Sequence, residues 1–443
     1  MDSIRKERSK RLKKIYWKVH HWVGLYAGLW IGLLSLTGAI AVFIPEIDRL
    51  IIKKSYDAMG TPYSGEHPEF THSIDELTAQ FPDYQSLAIH LPQTEAEVVR
   101  VEMVHLDQRG NNRYEYFIDG GRDVILGKRL QQNSLANYLR QMHVRLFEHN
   151  WGRQLVGIAG IGLFLVSLTG LLIYGNFMKR QKWPQVRKKM NLRIQMADWH
   201  KVIGISALAF NMVIAITGAW LGLQPWLIKW LDISIPNQHR IVETLAPEED
   251  RNTTIQWDEV FTSIDRYFPE LKPARLDIST NGASSILISG NVPGQIYERN
   301  TNILMLSKTD YRPLFRYNPN EQPFSHRLYY VQEALHFGDF GGWGVKILYA
   351  ILGLSSGVLS ISGFIVFLFR KNKKNAQVRQ ETIRVTFLVC MLSLLFLIVI
   401  GFISTQMGYT RAAAVAEIIV NGCLLLSLVY LLTGIWRRKS IKT

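Results

Sequence analysis

Cysteine is almost absent. Cys390 and Cys423 are the only two in 443 residues, and both lie inside apolar runs. A disulfide framework, a C-x-x-C redox pair and a C-x-x-C-H site for covalent haem attachment are therefore excluded. The sequence also lacks a P-loop, a G-x-G-x-x-G after a strand, an H-E-x-x-H and a G-x-S-x-G. Nucleotide, metallopeptidase and serine-hydrolase chemistries have no motif to rest on, and flavin or nicotinamide would have to sit on a separate partner. Acids are in deficit, with 36 Asp and Glu against 51 Lys and Arg, a net charge of +15.

What the chain has is apolar length. It is 48% hydrophobic and 11% aromatic, and its apolar residues are segregated into six runs. Each run is long enough to cross a hydrocarbon core of about 30 Å. They fall at Val19 to Ile44, Leu155 to Phe177, Val202 to Leu223, Val345 to Phe369, Val385 to Ser404 and Ala412 to Ile435. The first far exceeds the 7–15 residues of a signal-peptide core, so it is read as a retained helix. Residues 1–18, 178–193, 370–384 and 436–443 hold 25 of the basic residues against three acids. Basic segments next to alternate spans follow the positive-inside rule, which puts both termini in the cytoplasm and removes the nucleic-acid reading of the basic charge.

The expected order is a basic tail and first span (1–44), an outer insert (45–142) and a second span with its outer extension (143–177). A basic loop and the start of the third span (178–201) lead into that span (202–223) and a second outer insert (224–335). The fourth span with its extension (336–369), a basic loop (370–384), spans five and six (385–435) and a basic tail (436–443) complete it. Each insert mixes alternating runs, such as Val98 to Val104 and Ser285 to Ser289, with one amphipathic helix, Ile74 to Phe81 or Val260 to Phe268. Both read as small α+β modules.

The chain is internally duplicated. His20, Gly24, Thr37-Gly38-Ala39 and Pro45 recur 180 residues later as His200, Gly204, Thr217-Gly218-Ala219 and Pro225. His143, Gly160 and Thr169-Gly170 recur 193 residues later as His336, Gly353 and Ser362-Gly363. The fold class is thus an α-helical membrane protein of six transmembrane helices, in which a unit of helix, outer α+β module and helix is used twice in parallel and two C-terminal helices are appended.

The duplication keeps histidines. His20 and His200 open spans at the cytoplasmic face, while His143 and His336 precede spans at the outer face. Paired imidazoles at matched depth meet the axial requirement of a non-covalent b-type haem, so two such haems are expected. Gly24 and Gly204 lie one turn beyond His20 and His200, where a missing side chain admits a flat macrocycle; the alternative is that they pack helices. Arg153 and Lys346 are candidates for haem propionates or an anionic substrate, or are interfacial cations. His21 and His149 rival His20 and His143 as ligands. Glu417, inside the sixth span, is a candidate proton or substrate site, or a carboxylate reaching the interface near Arg411. Asn211 in mid-span is read as ambiguous between function and an interhelical hydrogen bond. Tyr329, Tyr330 and Trp343 are substrate-site candidates by position alone. His67, His72, His90, His105, His239 and His326 show no ligand spacing.

Trp17-Lys-Val-His20-His-Trp-Val-Gly24, Leu36-Thr37-Gly38-Ala39, Asp198-Trp-His200-Lys and Ala334-Leu-His336-Phe-Gly338 resemble the PepSY-associated transmembrane-helix family of bacterial inner-membrane proteins. The resemblance covers nearly the whole chain, most securely residues 10–370, and makes the outer inserts PepSY-like periplasmic modules. The family includes iron-regulated proteins, among them FoxB-like ferrisiderophore reductases with two b-type haems. It implies electrons passing from a cytoplasmic or membrane donor to a ferric siderophore in the periplasm, with His20, His143, His200 and His336 as haem ligands. Two other functions compete: a haem-free PepSY anchor that regulates a peptidase or sensor, and a siderophore or metal transporter working around a midplane site.

Overall fold

The computed structural model describes residues 2–371 apart from 57–60, 62, 64, 66, 95–96, 108–109, 147–148, 175–185, 188–189, 232–253, 279–284 and 297–298. The expected fifth and sixth spans, with Cys390, Glu417 and Cys423, lie outside the described residues, as does His239. The chain divides into two compact units. One is made of 1–41, 132–223 and 352–443, the other of 42–131 and 224–351.

Helix dominates the first unit. Its elements are α1 (Asp2–Tyr26), α2 (Gly28–Ala41), α5 (Leu135–Arg145), α6 (His149–Tyr174), α7 (Leu192–Ser206), most of α8 (Leu208–Leu231) and the C-terminal part of α11 (Gly342–Lys371). Among the described residues three helices are long and apolar enough to cross a membrane: Gly152–Tyr174, Leu208–Trp230 and Gly342–Phe367. Glu7–Tyr26 and Trp30–Ala41, whose halves meet at 63°, pass the same test only as a pair, as a broken span or a re-entrant loop. The third thus begins and ends later than the apolar run suggested, continuing through Pro225.

Both repeats interrupt their first helix at the equivalent alanine, Ala27 and Ala207. Alanine itself is the best helix former, so the cause lies beside it. Gly24 and Gly28 flank the first break, and Gly204 and Ser206 precede the second. Ser206 Oγ donates to the Val202 carbonyl at 2.9 Å, a back-bond that bends helices.

In the second unit, the two inserts form a single sheet. Strands β1 (Ser86–His90), β2 (Val99–Asp107), β3 (Gly110–Asp119) and β4 (Val124–Leu130) come from the first insert, and β5 (Lys272–Ile278), β6 (Ser285–Asn291), β7 (Asn302–Ser307) and β8 (Pro313–Tyr317) from the second. Their order is β4-β3-β2-β1-β5-β6-β7-β8, and every pairing is antiparallel. The join is β1 on β5, with Leu87 opposite Ile278 and His90 opposite Arg275. Period-two alternation sends Val99, Val101 and Met103 to one face, where they pack with Ile74 and Leu77 of α4 (Thr71–Gln80) and Val260, Phe261 and Ile264 of α9 (Trp257–Tyr267). One core therefore draws on both inserts.

The opposite face carries charge. Arg129 is clamped by Asp48 of α3 (Ile44–Tyr56) through two 2.7 Å hydrogen bonds and by Glu115. Ile52 and Tyr56 of α3 pack on Phe117 beside this clamp. Glu102 accepts from His90 at 2.9 Å and lies 3.7 Å from Arg275. Burial alone would raise the Glu102 carboxyl, but the His90 bond and the Arg100 and Arg275 charges outweigh it and hold it at about 2. A carboxyl depressed on folding stabilises the fold above its unfolded value of 4.5 and loses that contribution as pH falls toward 2. We expect acid melts followed by circular dichroism to show this loss, and Glu102→Gln to lose less stability than wild type between pH 4.5 and 2.

Candidate functional site

Three of the four repeated histidines fall in the helical unit, and each sits on a hydroxyl–glycine pair of another helix. His20, on α1, places Nδ1 3.0 Å from the Val166 carbonyl and 3.2 Å from Thr169 Oγ1. His200, on α7, places Nδ1 3.0 Å from Ser362 Oγ. His143, in the last turn of α5, places Nδ1 3.0 Å from Thr37 Oγ1. The residue after each hydroxyl is glycine, and the ring lies on it. A Cβ added at Gly170, Gly363 or Gly38 would stand 3.3, 3.2 or 2.9 Å from Cε1 of His20, His200 or His143.

Each hydroxyl also lies on a carbonyl of its own helix: Thr169 on Leu165 at 2.5 Å, Ser362 on Leu359 at 3.0 Å and Thr37 on Leu34 at 3.2 Å. For His20 the Val166 carbonyl decides the tautomer: a carbonyl can only accept, so the neutral ring is protonated at Nδ1 and keeps its lone pair at Nε2. This is the arrangement in which a histidine binds a metal through Nε2 while a second group fixes the ring. Thr37, Thr169 and Ser362 were visible in the sequence only as repeated residues; their pairing with the histidines was not.

His20 and His200 face each other. Their ring centroids are 6.2 Å apart and their planes make an angle of 87°. Two imidazole nitrogens, each about 2.0–2.1 Å from a metal between them, would put the centroids about 6 Å apart. Among the described residues no group of three or more His, Cys, Asp or Glu is placed to hold a bare metal ion. Two imidazoles alone leave the other coordination positions to a chelating ligand, as in a bis-histidine haem. His21 turns elsewhere, its ring lying 5.5 Å from Trp22 and 5.4 Å from Phe367. The His149 side chain lies outside the described residues.

Gly24 and Gly204 are not points of backbone-to-backbone contact. A Cβ at Gly24 would meet nothing closer than Val166 Cγ1 at 3.8 Å, and one at Gly204 nothing closer than Leu359 Cδ2 at 3.7 Å. Close packing occurs elsewhere, where Gly157 and Gly222 bring α6 and α8 into backbone contact. An added methyl at Gly24 or Gly204 would therefore rest in ordinary contact with a side chain of the neighbouring helix.

The other candidates are placed as follows. Arg153 Nε donates to the Leu221 carbonyl at 2.9 Å. That carbonyl lacks its normal helical donor because residue 225 is proline, so the guanidinium replaces the missing N–H. Asn211 Oδ1 accepts from Ser356 Oγ at 2.5 Å, the interhelical bond that was one of its two readings. In the second unit Lys346 pairs with Glu46 at 2.5 Å, with both side chains mostly buried. His336 ends α10 (Phe324–Phe337), which closes on Gly338 in the left-handed region (φ +67°), much as α5 closes on Leu146 (φ +48°). Tyr329, on the same helix, accepts from Gln224 Nε2 at 2.7 Å, Tyr330 packs on Tyr317, and Trp343 stacks on Phe43.

The PepSY-associated TM region family matches residues 17–370, so the chain belongs to that family and is a multi-pass membrane protein. An uncharacterized protein of Pseudomonas aeruginosa is 26% identical over 260 residues, which is 54% of this chain and 65% of that protein's length.

The two kinds of glycine should respond differently to substitution. Gly38→Val crowds the His143 ring and should destabilise the protein by about 1–3 kcal/mol. Gly24→Ala, whose methyl would make only an ordinary contact with Val166 and which has the better helix propensity, should leave stability unchanged or raise it by up to about 1 kcal/mol. Thermal unfolding of both variants in detergent checks the contrast.

Proposed function

We propose that this protein is a haem-bearing electron carrier of the bacterial inner membrane that reduces a ferric siderophore at the periplasmic face with electrons from the cytoplasmic side. The observation that carries this reading is the neighbouring pair His20 and His200, each tethered through Nδ1 to a hydroxyl of another helix. The residues suit a b-type haem: two imidazoles whose ring spacing leaves room for one iron, each held through Nδ1 from another helix. Bound there, haem would supply reversible one-electron chemistry.

The chain's own residues fix ligand orientation and exclude water. Thr169 and Ser362 hold the two rings in orientation from another helix. By the duplication, His143 and His336 are the further haem-ligand candidates. His143 has the same hydroxyl and glycine support, and His336 ends the matching helix of the second repeat. The substrate's Fe(III) would take one electron to become Fe(II), which hard oxygen donors hold less firmly, and the siderophore would release it. A transporter would need free polar groups at mid-depth, whereas Asn211 is already bonded to Ser356.

The purified protein should contain two b-type haems per chain by pyridine haemochrome and reduced-minus-oxidised spectra. His20→Ala and His200→Ala should each abolish the same haem signal, and His143→Ala and His336→Ala should each lower the haem content. Well-folded protein that takes up no haem even after supplementation would overturn the proposal.

A further inference from the structure

Gln332, on α10, has a side chain that the fold leaves unused. It is 92% buried, from a relative exposure of 8%, yet neither Nε2 nor Oε1 has a hydrogen-bond partner. Among the described residues it is the only side chain with two such atoms. Buried amides are bonded in native proteins, so an amide with both ends orphaned marks a missing partner. Its neighbours on the helix are served: Tyr329, three residues earlier, is bonded to Gln224, which is itself buried. His336 lies four residues later, on the same face of the helix.

We infer that the Gln332 carboxamide binds a carboxyl group of the ligand held at His336, namely a propionate of the outer haem. A carboxamide offers N–H donors and a carbonyl acceptor side by side. A carboxylate takes the Nε2 hydrogens, and when protonated it also gives its O–H to Oε1. A charged side chain at so buried a place would need a partner ion permanently, whereas a neutral amide tolerates both states of the propionate. Lys346, the cation the sequence offers for this role, is already paired with Glu46.

The inference rests on the haem reading above, and the test separates the two. Gln332→Leu and Gln332→Met remove the amide at similar volume. If the amide exists for the ligand, its removal should raise the thermal midpoint of the haem-free protein, because an unsatisfied buried group is gone. It should also weaken uptake of the haem whose signal His336→Ala abolishes by about 10-fold or more in haem titration, leaving the other haem unaltered. Wild-type protein that binds no haem defeats the function and this inference together. Wild type with two haems, and both variants taking up the His336 haem with unchanged affinity and midpoint potential, defeats this inference alone.

Discussion

Lipid removes the force that assembles soluble helices. Hydrocarbon solvates a leucine as well as another helix does, so helices in a bilayer hold together through close packing and buried hydrogen bonds. The helical unit is organised by that constraint. Gly157 and Gly222 put two backbones in contact, and the Gly170, Gly363 and Gly38 surfaces receive the three imidazoles. Ser356 and Asn211 add a hydrogen bond between helices where water cannot compete. Arg153 answers the same demand by replacing the donor that Pro225 lacks. These contacts are short in reach, and small displacements break them. The histidines they hold are accordingly fixed in position before any ligand arrives.

A histidine in such a place is a choice among tautomers, and at His20 a backbone carbonyl makes the choice. Val166 O beside Nδ1 can only accept, so that nitrogen donates. The helix backbone thus determines, through one oxygen, which nitrogen of a side chain on another helix is basic. Serine serves as well as threonine, which is why Thr169 and Ser362 are equivalent in the two repeats.

Much of this was legible in the sequence. Recurrence at offsets of 180 and 193 exposed the histidines, the Thr-Gly and Ser-Gly pairs and the repeat itself, because a duplicated unit preserves spacing. Alternation such as Val99, Val101 and Met103 marked strands, since one residue in two faces the core. Partnership was not legible. Nothing local joins His20 to Thr169, or tells His20 from His21, because those are facts about neighbouring helices. The interruptions at Ala27 and Ala207 were hidden in apolar runs that looked continuous. Two inserts read as separate modules prove to share a sheet, because edge-to-edge pairing uses backbone groups that every sequence has. Gln332 gave no signal, since an orphaned amide is recognisable only from its surroundings.

The junction of β1 with β5 has a consequence for biogenesis. Some 180 residues separate these strands, and two membrane crossings lie between them. At roughly 5–20 residues per second, β1 is synthesised about 10–35 s before its partner. Throughout that interval the first insert presents an open strand edge and half of a hydrophobic core, the condition in which unfinished sheets pair with the wrong neighbour. The two halves of the sheet cannot mature independently; the first must be kept from aggregating until translation and membrane insertion deliver the second.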